Sequence, residues 1–216
     1  MTGHDRLLAE TAAARSEFLD IPLLARAAAG EVPQSLYLDF LREAYHHVRH
    51  TCALLSLAAA RTQDPEYRQE LFGYIAEERG HDDWILADIA ALGGDPEATQ
   101  RATPGTPCRA MVGYVYYAIE WISPYALLGM VHVLEGASAQ LAAKAAAALK
   151  ISFGSVDDTG FRYLVSHGQL DQDHIVFFRS LVNQLPEPGA IEPIIDCANV
   201  VYRLYGDLFR DLDRRA

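Results

Sequence analysis

Apolar positions recur at three- and four-residue intervals along most of this chain, the period of helices that bury one face. The stretch VPQSLYLDFLREAYHHVRHTCALLSLAAART opens at Pro33 and keeps that period to about Thr62. The next stretch starts with Asp64 as N-cap and Pro65 at the first helical position, and stops at Gly93-Gly94. A third follows a Pro/Gly loop and ends at Trp121, and a fourth repeats the cap-plus-proline start at Ser123-Pro124. A fifth covers residues 157–185 and ends before PEPG, a last helix spans 190–214, and two weaker helices fill residues 4–30. No alternating run is long enough to insist on a strand. The pattern predicts one all-α domain over residues 1–216, with seven or eight helices. Long antiparallel helices make a core in which side chains from different helices converge on a cofactor.

Composition narrows the class. The 216 residues suffice for one good-sized core and fall short of an obvious second domain. A net charge of −11 argues against a grip on nucleic acid phosphates or anionic membranes, so neither is expected as a partner. The longest apolar stretch, MVGYVYYAIEWISPYALLGMVHVL, is broken by Glu120 and by Ser123-Pro124. A membrane span needs about 20 nearly uninterrupted apolar residues. Cys52, Cys108 and Cys197 are widely spaced, odd in number and form no CxxC pair, which suits a reducing compartment. The first residues contain no apolar signal-peptide core, so a cytoplasmic protein is expected.

Chemistry enters at SHGQLDQDHIVFF, which sets His167, Asp171 and His174 at i, i+4 and i+7 among apolar residues. At about 100° per residue these fall within roughly 60° of one another on one helix face. YIAEERGHDDW places Glu77 and Glu78 ahead of His81. Glu78 and His81 continue the apolar stripe of Leu71, Tyr74, Ile75, Ile85 and Ile89, whereas Glu77 leans to its edge. Glu-x-x-His is the spacing by which one helix gives two ligands to a carboxylate-bridged metal pair. Glu135 stands among apolar and small residues, where a carboxylate must be paired, protonated or metal-bound. His132, three residues earlier, reads better as a hydrogen-bonded core histidine than as a ligand.

REAYHHVRHT adds Glu43, His46, His47 and His50; Glu43 is the favoured metal group there, and His47 and His50 are expected outside the ligand set. Singly, each motif has a bland reading as a solvated charge run or an aligned histidine. Jointly, Glu78, His81, Glu135, His167, Asp171 and His174, with Glu43 as a seventh, suit two first-row metals. Tyr74, Tyr114, Tyr116, Tyr117 and Trp121 are candidates for a pocket wall, although aromatics at helical spacing are more often core.

At these residues the sequence resembles the heme-oxygenase-like diiron oxidases, the iron-containing redox branch of the TenA/PqqC superfamily, over residues 33–212. The resemblance implies a seven- to eight-helix heme-oxygenase-like bundle, commonly a homodimer. It implies two irons per chain, the second weakly held, with manganese as the alternative metal. It also implies O2-dependent oxidation of a C–H or N–H bond in a small-molecule substrate, an amino acid or a fatty acid. Because the early Glu-to-His spacing varies in such proteins, Glu77 and Glu78 both stay open. Within the same fold the rivals are a thiamin-degrading TenA type, which needs a nucleophilic cysteine near Ser123-Pro124-Tyr125, and a cofactorless PqqC type. No cysteine stands at that place. A non-catalytic regulatory protein is the rival from another class, and the absence of a basic recognition helix weighs against it. A ferritin-like bundle would want a second Glu-x-x-His.

Overall fold

A computed structural model describes residues 1–185 and 189–215, with side chains throughout except residues 168–175. Among these residues the secondary structure is helical. In chain order the helices are α1 (Gly3–Glu10), α2 (Ala12–Leu19), α3 (Pro22–Ala29), α4 (Gln34–Val48), α5 (Thr51–Arg61) and α6 (Pro65–Glu78). They continue as α7 (His81–Ala91), α8 (Pro96–Arg101), α9 (Thr106–Trp121), α10 (Leu127–Phe153), α11 (Arg162–Gln184) and α12 (Ile191–Arg215).

The starts follow local chemistry. Asp64 Oδ1 accepts from the N–H groups of Glu66 and Tyr67 at 3.0 and 3.1 Å, with Pro65 in the first turn of α6. Ser123 Oγ accepts from Tyr125 N at 3.2 Å, and Pro124 opens a 3-10 turn that leads into α10. The long helices α10, α11 and α12 form the centre, with α3 also packed on α10. On α12, Ile194, Ile195, Ala198, Val201, Tyr202, Tyr205, Leu208, Phe209 and Leu212 make the buried stripe. α10 meets α12 at Gly129, where a Cβ would lie 2.5 Å from the Ile194 carbonyl oxygen. Only glycine permits that approach. Pro124–Phe153 has the length and apolarity of a membrane span, and its α10 part packs against α3, α11 and α12.

Two expected long helices are each interrupted. The first breaks between Val48 and Thr51, where His50 N–H bonds the His47 carbonyl at 3.1 Å. The second breaks at Arg79-Gly80, because Gly80 takes φ +90°, a left-handed conformation that ends the α6 path. The apolar period runs through both breaks, so periodicity alone merges the pieces. The second break lies inside the Glu-x-x-His motif.

Candidate metal centre

Glu78 is the last residue of α6 and His81 the first of α7, so the motif spans a helix junction and does not sit on one helix. The turn at Gly80 still brings the two side chains together. His81 Nδ1 lies 3.3 Å from Glu78 Oε2, and both side chains are largely buried. The pair is misaligned for a hydrogen bond, and His81 Nδ1 makes none. Two donors bound at about 2.1 Å to one ion lie about 3 Å apart, so the pair has the spacing of co-ligands. His167, one turn into α11, completes a group whose ligand atoms lie within 4.8 Å of one another.

The ring of His167 is held in a defined tautomer. Its Nδ1 is 3.0 Å from the Tyr163 carbonyl oxygen, and only an N–H can bond a carbonyl. The proton therefore sits on Nδ1 and the lone pair on Nε2, the state required of a metal-binding imidazole. His81 and His167 approach edge to face at 4.9 Å, and Trp84 stacks on His81 at 4.1 Å. The Arg162 guanidinium lies over the other partner of this stack, 4.7 Å from the Trp84 ring centroid. The donor set of one carboxylate and two imidazoles fits a first-row divalent metal such as iron.

α7 and α11 are locked in register by Asp88. Its carboxylate accepts the backbone N–H groups of Arg162 and Tyr163 at 3.0 and 2.8 Å, capping α11 from a neighbouring helix. Asp88 is 2% exposed. Burial raises its pKa, and the two N–H groups and Arg162 oppose that rise. The sequence reading missed Asp88, although a carboxylate between Ile85 and Ile89 carries the same signal that singled out Glu135.

Glu78 and His167 open onto a cavity of about 180 Å³, which Glu135, His47 and Tyr74 also line. Most of the remaining wall is aliphatic or aromatic, with Leu36, Leu54, Leu134 and Leu149 among its residues. Tyr74 is held in its neutral form by burial first, then by the negative charges of Glu135, Glu78 and Glu77. Glu135 thus shares a buried environment with Glu78, though it stands outside the close three-residue group. It also borders a second cavity of about 240 Å³ with His132, Arg15 and Tyr202. His132 stacks on Phe178 at 5.8 Å, and burial, then His4 and Arg15, push its pKa down to about 4.

Several expectations are placed differently. Glu43 does not face this group. Both its oxygens lie 3.0 Å from the Gly105 N–H at the start of α9, and Arg215 Nη1 is 3.6 Å away. The cause is tertiary: Gly105 needs an acceptor for its N–H and the C-terminal arginine supplies the counter-charge. His47, expected beside the ligands or at the surface, is buried in the cavity wall. Of the candidate aromatics, Tyr74 lines the cavity, whereas Tyr117 and Trp121 are exposed. The side chains of Asp171 and His174 lie outside the described residues; the backbone there continues α11. Cys108 and Cys197 are pushed up to about 12, burial being the main cause, which disfavours either as a nucleophile.

Comparisons with known proteins agree with this architecture. The family of iron-containing redox enzymes matches residues 38–206. A Shewanella denitrificans domain of unknown function with a heme oxygenase-like fold superposes with a TM-score of 0.87 at 18% identity, covering 98% of this chain and 92% of that one. A TenA homologue from Pseudomonas syringae pv. tomato gives 0.82 at 14% identity, with 98% and 93% covered. Heme oxygenase-1 from Synechocystis, in complex with heme, gives 0.76 at 15% identity, with 100% and 94% covered. No curated protein matches in sequence. At these identities the solved structures establish the fold, which is heme-oxygenase-like.

Proposed function

We propose, since the chain belongs to the family of iron-containing redox enzymes, that it is a non-heme iron oxidase that uses O2 to oxidise a small substrate. The observation that carries this reading is the convergence of Glu78, His81 and His167 from α6, α7 and α11 beside an apolar cavity. In this reading Glu78, His81 and His167 hold one iron, and Glu135 with Asp171 and His174 holds a second. Bound iron would supply the electrons that activate O2, and the substrate C–H or N–H bond would be what is oxidised.

The chain's own residues set the conditions for that chemistry. The Tyr163 carbonyl fixes the His167 tautomer, Asp88 fixes the register of α7 on α11, and Trp84 restrains the His81 ring. The largely apolar cavity wall favours an aliphatic body over a compact charged one. Of the two substrate classes, this supports fatty acids and related chains over amino acids. Thiol chemistry of the TenA type is disfavoured by the raised cysteine pKa values.

The test is anaerobic loading with Fe(II), followed by O2 and a panel of fatty acids and amino acids, reading O2 uptake and product mass. Substrate-dependent O2 uptake with members of the fatty acid series is the expected result. Iron-loaded protein that consumes no O2 with either series would overturn the reading.

A further inference from the structure

His47 is a buried polar group that the proposed metal centre leaves unused. It is 2% exposed, it lines the same cavity as Glu78 and His167, and neither ring nitrogen has a hydrogen-bond partner among the described residues. A neutral imidazole always presents one N–H and one lone pair. Leaving a buried polar group unpaired is costly, so two vacant sites on one ring require a purpose. The part of the cavity wall that α4 and α5 contribute is mainly apolar, with Leu36, Val48, Leu54 and Leu55. Thr51, one turn further along, is the other polar residue that this segment turns toward the cavity.

We propose that His47 anchors the substrate, hydrogen-bonding an oxygen-bearing head group of an aliphatic molecule bound in the cavity. This rests on the cavity being the substrate site. The close group of described donors consists of Glu78, His81 and His167, so His47 is not a further ligand of that ion. It is nevertheless near. Burial first, and then the proximity of the His167 imidazole, ahead of the chain neighbours His50 and His46, disfavour protonation of His47. Tyr205 meets the ring edge to face at 5.8 Å and 83°, which restrains its orientation. Burial keeps the imidazole neutral, so it offers a donor and an acceptor together. A hydroxyl or carboxamide can pair with either nitrogen, as acceptor or as donor, and a carboxylate with the N–H alone. A cavity of about 180 Å³ has room for a short alkyl chain carrying such a head.

The experiment uses the full chain loaded with redox-silent Zn(II) and three hexyl probes: hexan-1-ol, hexanoic acid and n-hexane. Binding is followed by NMR, including the long-range ¹H–¹⁵N signals of the His47 ring. The oxygen-bearing probes should shift the His47 nitrogens and n-hexane should not. His47→Phe should weaken binding of hexan-1-ol or hexanoic acid roughly tenfold, as loss of one hydrogen bond implies, and leave n-hexane unchanged. His47→Asn should restore part of that loss. The ring signals of the wild-type protein carry the test if His47→Phe fails to fold. Tight binding of all three probes with no movement of the His47 signals would overturn the role of His47 alone. Failure of every probe to bind would overturn the cavity as the substrate site, and the anchor with it.

Discussion

Asp88 on α7 accepts the backbone N–H of Tyr163, the second residue of α11, at 2.8 Å. His81 lies two turns before Asp88 and His167 one turn after Tyr163, so this contact sets how the two imidazoles meet. Asp88→Asn replaces one acceptor oxygen with an amide that donates, leaving one N–H at the start of α11 unsatisfied. We expect a loss of about 1–2 kcal/mol in urea unfolding. We also expect weaker Co(II) binding, with altered visible absorption bands of the bound ion. Unchanged bands in a destabilised variant would make Asp88 a cap for the helix alone.

Gly80 sets the geometry between Glu78 and His81. Its φ of +90° lies in the left-handed region, and a Cβ there would meet nothing within 4 Å. The penalty for Gly80→Ala is therefore conformational, about 1–2 kcal/mol. Asn, which tolerates this region better, should be milder than Ala. Thermal unfolding of the two variants ranks them, and Co(II) affinity should fall in the same order. Equal stability of wild type and Gly80→Ala would contradict this account of the junction.

Acid should destabilise the fold through its buried histidines. His132 titrates at about 4 in the folded chain against an ordinary 6.5, because burial disfavours its charge. Above 6.5 it is neutral in both states. As pH falls from 6.5 toward 4 the unfolded chain takes up a proton that the folded chain refuses, so stability is lost across that window. His132→Phe, which keeps the stacking on Phe178, should flatten the dependence of Tm on pH between 6.5 and 4. An unaltered slope would remove His132 from the explanation.

Glu43 should matter for stability and not for metal. Glu43→Gln keeps an acceptor for Gly105 but loses the charge facing Arg215. The expected result is a small loss in unfolding free energy, at most about 1 kcal/mol, with metal content unchanged. A fall in iron stoichiometry would return Glu43 to the metal site.

What was legible in the sequence was mostly local. The Asp64-Pro65 and Ser123-Pro124 starts are satisfied within their own first turns, so they read directly from composition. His81 and His167 were legible because polar residues on an apolar stripe need an explanation. The helix breaks were not, since the apolar period continues across His50 and Gly80; Gly80 after Arg79 was the available clue. Glu43 and His47 share one face at i and i+4, and nothing local separates them. The neighbours decide it: Gly105 and Arg215 take Glu43, while His47 is left to the cavity.

The central claim is that Glu78, His81 and His167 hold iron. The most direct measurement is iron retained per chain after anaerobic Fe(II) loading and gel filtration, in wild type and in His81→Ala/His167→Ala. Circular dichroism confirms that both remain helical. The account predicts up to two irons per wild-type chain and about one fewer per chain in the double variant than in the wild type. A helical double variant that retains the wild-type iron content would contradict it.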